Sequence, residues 1–168
     1  MKYMPLAAAM ALLSAPAFAQ VATGDAAAGE EIFGRNCVAC HVVENEAGEV
    51  LAGRNSKTGP NLYGMPGRTP GTYPDFEYGE SMIAFGATGA VWDEAHFVGY
   101  VQNPTDYLRE QLEDRRARGK MAFQLRSEED ALNVYAYIVS LSPAAGDAAA
   151  TEEPAADDAA AEEPAVTE

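Results

Sequence analysis

With 26 Asp and Glu against 11 Lys and Arg, this chain of 168 residues carries a formal charge of −15, which argues against nucleic-acid binding. The acidity is uneven, because Pro143 to Glu168 holds eight acids and no base, leaving ten bases against eighteen acids between Gln20 and Ser142. No apolar run reaches the roughly 20 residues that a membrane-spanning helix needs.

In chain order, Met1-Lys2-Tyr3, an apolar run from Met4 to Leu13, and Ala17-Phe18-Ala19 before Gln20 have the layout of a secretory signal peptide. Residues 1–19 are expected to be removed, and the mature protein to act in the periplasm without stable insertion in the membrane. Residues 20–142 are expected to form one domain of ample size for a single core. Residues 143–168, rich in Ala, Glu, Asp and Pro with Val166 as the one large aliphatic, read as a disordered acidic tail.

Within the domain, Asp25 is a plausible cap for a first helix ending near Arg35, with Ala28, Ile32 and Phe33 on one face. Gly59-Pro60, Pro66-Gly67 and Pro70-Gly71 then mark a long stretch of loop. A second helix is predicted from about Asp93 to just before Pro104, with Phe97, Val98, Tyr100 and Val101 on its apolar side. Between Pro104 and Arg118 the signal for another helix is weaker. Ser127 followed by Glu128, Glu129 and Asp130 is a capped helix start, and apolar residues continue through Val139 until Pro143. These elements make the fold mainly α, with little β-type alternation and loops that something besides secondary structure must organise.

The chemistry is concentrated in Cys37-Val38-Ala39-Cys40-His41. Two thiols spaced to meet the two vinyl groups of one haem, followed at once by an imidazole that can ligate its iron, suit covalent haem attachment. A redox disulfide would expect a thioredoxin-like βαβ setting, which the pattern lacks. Zinc needs four ligands, and a chain with two Cys and two His could supply them only with awkward geometry. A structural disulfide leaves the adjacent His41 without a purpose. For iron's sixth position the residues leave four candidates, Met65, Met82, Met121 and His96, and spacing alone does not choose among them.

The order of motifs resembles the class I cytochromes c, and within them the larger bacterial cytochromes of the c2 group related to mitochondrial cytochrome c. Gly24-Asp25 with Gly29 and Ile32-Phe33 resembles the family's first helix, and Thr58 to Gly64 with Gly67-Arg68 its haem-enclosing loop. Asn103-Pro104 and Gly119 to Phe123 resemble the segment that ends in the axial methionine, and Ala136-Tyr137-Ile138 the last helix. The resemblance implies one class I domain of helices and long loops wrapped around a single haem c held by Cys37 and Cys40, with His41 and Met121 as axial ligands. It further implies that the Pro60 carbonyl orients His41, that Arg68, Tyr78 and Trp92 meet the haem propionates, and that Tyr100 lies near the methionine sulfur. One departure from the pattern is Gly119, where a threonine usually stands.

With both axial positions filled by protein, outer-sphere electron transfer is the expected use, and no enzymatic activity. The resemblance points to a monomer that docks transiently on membrane redox complexes, from a quinol-oxidising cytochrome bc complex to a terminal oxidase, another reductase or a photosynthetic reaction centre. The run Arg115, Arg116, Arg118 and Lys120 is the expected docking charge. A peroxidase-type haem enzyme with a labile sixth ligand is the alternative, and absorption of sulfur-ligated ferric iron in the far red separates the two.

Overall fold

The computed structural model describes residues 22–143. The expected signal peptide, and all of the expected tail but Pro143, lie outside the described residues. The elements follow the order α1 (Ala26–Asn36), β1 (Val42–Glu44), β2 (Val50–Gly53), α2 (Glu80–Ala87), α3 (Glu94–Gln102), α4 (Pro104–Gln111) and α5 (Glu128–Leu141). Among the described residues no helix is long and apolar enough to cross a membrane.

Side-chain caps place three of the helix starts where the sequence suggested. The Asp25 carboxylate accepts from the N–H groups of Ala27 and Ala28 at 2.8 and 3.2 Å. Asp93 accepts from the His96 N–H at 2.7 Å, and the Ser127 hydroxyl from the Asp130 N–H at 3.2 Å. The weaker signal after Pro104 is also realised, with Asn103 capping and Pro104 in the first turn, where its missing N–H costs nothing. That helix is short, because Glu113 adopts a left-handed conformation (φ 51°) just past its end.

Two features go beyond the sequence reading. Helix α2 has Gly79 at its cap with no side-chain bond, so it lacks a start signal; it forms because Met82, Phe85 and Gly86 are buried against the rest of the fold. The hairpin β1–β2 is antiparallel, pairing Val42 with Gly53 and Val43 with Ala52, and a shift in register follows Val43. Strands of three and four residues are too short to show alternation.

The core lies where α5 crosses α1 and α3. Residues Asn133 to Ile138 of α5 are buried without interruption. Phe33 packs against Tyr137 (ring centroids 5.6 Å apart) and Phe97 against Tyr135 (5.4 Å). The α1–α5 crossing depends on missing side chains: a Cβ on Gly29 would strike the Asn133 carbonyl and come within 2.9 Å of the Tyr137 Cβ, while Gly34 on the same helix has nothing within 4 Å. The buried Asn133 side chain also accepts from the Asp25 N–H at 2.7 Å, fixing the start of α1 on α5.

Gly29→Ala is therefore expected to destabilise the intact protein by about 1–3 kcal/mol through overpacking. Gly34→Ala should stabilise it by up to about 1 kcal/mol, because it removes glycine from an exposed helical position. The denaturant midpoints of the two variants measure both effects.

Candidate haem site

The two cysteines and His41 sit in a turn that prolongs α1. The Cys37 N–H donates to the Phe33 carbonyl at 2.9 Å, and the N–H groups of Cys40 and His41 both donate to the Cys37 carbonyl, at 3.1 and 2.9 Å. A second segment clamps this turn, with the Gly59 N–H donating to the Cys40 carbonyl at 2.7 Å and His41 Nδ1 lying 2.9 Å from the Pro60 carbonyl. A carbonyl only accepts, so Nδ1 carries the proton and Nε2 keeps its lone pair. The approach needs glycine at 59, because a Cβ there would come within 2.6 Å of His41 Nδ1 and 2.9 Å of Nε2.

Cys37, Cys40, His41 and Pro60 open onto a cavity of about 720 Å³, which Arg68, Tyr78, Trp92, Tyr100 and Met121 complete. That volume lies within the ~300–1,000 Å³ typical of cofactor pockets. The walls between them are largely apolar. Burial, reinforced by Cys40, pushes the Cys37 thiol up to about 12. Burial likewise lowers the His41 pKa against the opposing pull of the Pro60 hydrogen bond. Thiol and imidazole thus both favour the uncharged form, as an apolar cavity requires.

Arg68 brings a half-buried charge to the wall. Its guanidinium donates to the carbonyls of Tyr63 at 3.1 Å and Asn61 at 3.2 Å and stands 4.9 Å from the centre of the Tyr73 ring. Burial lowers its pKa, opposed by Tyr78 and Tyr73. Among the described residues it has no carboxylate within ion-pair distance, so a half-buried cation faces the cavity without a salt-bridge partner. Next to it, Gly67 N–H donates to the Trp92 carbonyl at 2.8 Å and Trp92 N–H to the Arg68 carbonyl at 2.9 Å, which joins the loop to the start of α3. Trp92 packs on Tyr100 with centroids 5.3 Å apart, and burial raises the pKa of both Tyr100 and Tyr78.

The four sixth-ligand candidates separate into two groups. Met65, Met82 and Met121 all line the cavity, the first two buried in the core and Met121 half-buried on a segment without regular secondary structure. His96 does not line it; its Nδ1 lies 2.7 Å from Asp93, and its ring packs against Phe85 with centroids 5.4 Å apart. The basic run is also divided. All four side chains are exposed, but Arg118 and Lys120 reach the cavity whereas Arg115 and Arg116 do not. Gly119 has a local cause: a Cβ there would approach the Pro104 Cβ to 2.9 Å.

Three contributions escaped the sequence reading. The role of Gly59 depends on a contact made 18 residues away in the chain. Val134 and Ile138 supply apolar wall, and their spacing of four on α5 is the signal that could have placed them on one face. The side chain of Lys120 turns back to the segment before α2, which nothing in its sequence neighbourhood announces.

The Cytochrome c family model matches residues 26–142. Cytochrome c2 of Rhodovulum adriaticum is 55% identical over 119 residues, covering 71% of this chain and 94% of the relative. Among solved structures, cytochrome c2 of Rhodobacter sphaeroides aligns with a TM-score of 0.68 at 52% identity, over 70% of this chain and 95% of that one. Cytochrome c-550 of Paracoccus versutus aligns with a TM-score of 0.66 at 37% identity, over 71% and 99%.

Gly59→Ala should displace the His41 ring and loosen its bond to Pro60. The expected outcome is a lower yield of haem-loaded protein and a loss of about 1–3 kcal/mol of stability from overpacking, measured by the haem absorbance of purified material and by its denaturant midpoint.

Proposed function

The chain belongs to the cytochrome c family, carries haem c covalently and is an electron carrier rather than an enzyme; on that footing we propose that it shuttles single electrons in the periplasm. The donor in this reading is a quinol-oxidising cytochrome bc complex, and the acceptor a terminal oxidase, another reductase or a photosynthetic reaction centre. The observation that carries it is the convergence of Cys37, Cys40, His41, Pro60, Arg68, Tyr78, Trp92, Tyr100 and Met121, from well-separated stretches of chain, on one largely apolar cavity.

In this proposal Cys37 and Cys40 would hold the haem through thioether bonds, and His41 Nε2 and the Met121 sulfur would ligate its iron. When bound, the haem supplies a one-electron ferric/ferrous couple. Pro60 holds the imidazole in the tautomer whose free nitrogen can ligate, and strengthens its donation. Arg68, lacking a carboxylate partner, offers its charge to the haem propionates together with Tyr78 and Trp92. The apolar walls disfavour the extra positive charge of the ferric state, and a thioether ligand acts in the same direction, so both raise the potential. Two protein ligands leave no open site for substrate.

Met121 is preferred to Met65 and Met82, which are buried in the core, because it lines the cavity while half-buried and stands where the family pattern sets its ligand. The test is the far-red absorption of sulfur-ligated iron in the oxidised protein. It should be present in the parent, retained in Met65→Leu and Met82→Leu, and lost in Met121→Ala. Loss in either leucine variant instead would move the ligand.

Arg118 at the mouth, with Arg115 and Arg116 beside it, is proposed to orient the carrier towards acidic partner surfaces. Changing all three to Gln should slow electron transfer to or from a partner complex at low ionic strength and leave the reduction potential nearly unchanged. Stopped-flow rates measured across a salt series, with voltammetry on the same variant, test both parts; equal rates at every salt concentration would remove the docking role.

A further inference from the structure

The segment that delivers Met121 has little structure of its own. Between α4 and α5 there is neither helix nor strand, and after the Ala117 N–H bond to Asp114 the next backbone bond to the rest of the fold is from Leu125 N–H to the Val101 carbonyl. What holds the chain immediately before Met121 is a set of three bonds. Arg118 N–H donates to the Ser81 hydroxyl at 3.0 Å, Gly119 N–H donates to the Thr105 hydroxyl at 3.1 Å, and the Lys120 ammonium donates to the Glu77 carbonyl at 2.6 Å. The strip is thus pinned on one side to residues 77–81 and on the other to the first turn of α4.

Lys120 is built into this clamp along its whole length. Its stem lies over Gly79, where a Cβ would come 3.4 Å from the Lys120 Cγ, and its Nζ ends on the Glu77 backbone. The Glu77 carboxylate adds little: it is 3.7 Å away and 97% exposed, where an ion pair is screened. The carbonyl bond therefore does the holding. With Lys120 committed to Glu77 in this way, it is less free than Arg118 to act as docking charge.

We infer that Lys120 and Thr105 are positioning residues for Met121, together fixing a strip whose Gly119 has no side chain with which to fix itself. This rests on the reading of Met121 as the sixth ligand. The two residues hold the sulfur in place by making its departure break an existing bond.

Competition by imidazole for the sulfur's position in the oxidised haem protein tests this, read as loss of the far-red absorption. Lys120→Ala should raise the apparent affinity for imidazole about fivefold, the weight of one net hydrogen bond, and Thr105→Val about two- to fivefold. Lys120→Arg, which keeps a donor of similar reach, should restore most of the parent's behaviour, and Glu77→Gln, which keeps the carbonyl, should match the parent. Unfolding midpoints followed by circular dichroism should fall by no more than the same single bond accounts for, since the unfolded chain lacks it too. Parent-like imidazole affinity in both Lys120→Ala and Thr105→Val, whatever their global stability, would overturn the inference. Absence of the far-red feature from the parent protein would instead overturn the assignment of Met121 and this inference with it.

Discussion

The hydrogen bond from His41 Nδ1 to the Pro60 carbonyl, 2.9 Å long, joins two parts of the chain that share no secondary structure. On one side it holds the turn after α1, where both cysteines lie; on the other it holds the loop that carries Arg68. That loop reaches α3 through the reciprocal backbone bonds between Gly67, Arg68 and Trp92. One imidazole thereby ties the attachment turn to the loops and, through them, to the helical frame. The bond also fixes the tautomer in which the other ring nitrogen can meet a metal. Its geometry depends in turn on a glycine at 59, since any side chain there would occupy the ring's place.

The helical frame turns this linkage into an enclosure. Helix α5 is buried through its central turns because α1 and α3 pack against it while Val134 and Ile138 line the cavity. A helix apolar on nearly all sides needs partners on nearly all sides. In the proposed assignment one of those partners is the haem that members of this family carry. This explains how a domain with seven short elements and long loops forms a core: the loops are organised by what they surround, and α2, which lacks a capping signal, is retained by burial of Met82 and Phe85.

Charge is arranged by depth. Inside, before haem is attached, the thiol of Cys37 and the imidazole of His41 are driven to their neutral forms, and Arg68 is a cation that retains only carbonyls and an aromatic ring as partners. At the mouth, Arg118 and Lys120 are positive on a chain whose overall charge is −15. The proposed assignment divides the basic run, with the arginines available to a partner's surface and the lysine occupied in holding the segment before Met121. Neighbours in sequence therefore differ in role because their side chains leave the backbone in different directions.

A linear reading of the chain yields the attachment chemistry and most of the helices. Two thiols and an imidazole within five residues have one economical use, and caps such as Asp25, Asp93 and Ser127 are local interactions that a linear reading can see. It did not show α2, stabilised by distant contacts, or the hairpin, whose strands are too short for periodicity. The tertiary structure decided which residues share the cavity, since this depends on separations in space: it set His96 against Asp93 and Phe85, outside the lining, and left three methionines within it. It also gave physical reasons for Gly59 and Gly119, where a Cβ would meet the His41 ring or Pro104. A missing atom has meaning only beside the neighbour that would have struck it, and only the folded chain supplies that neighbour.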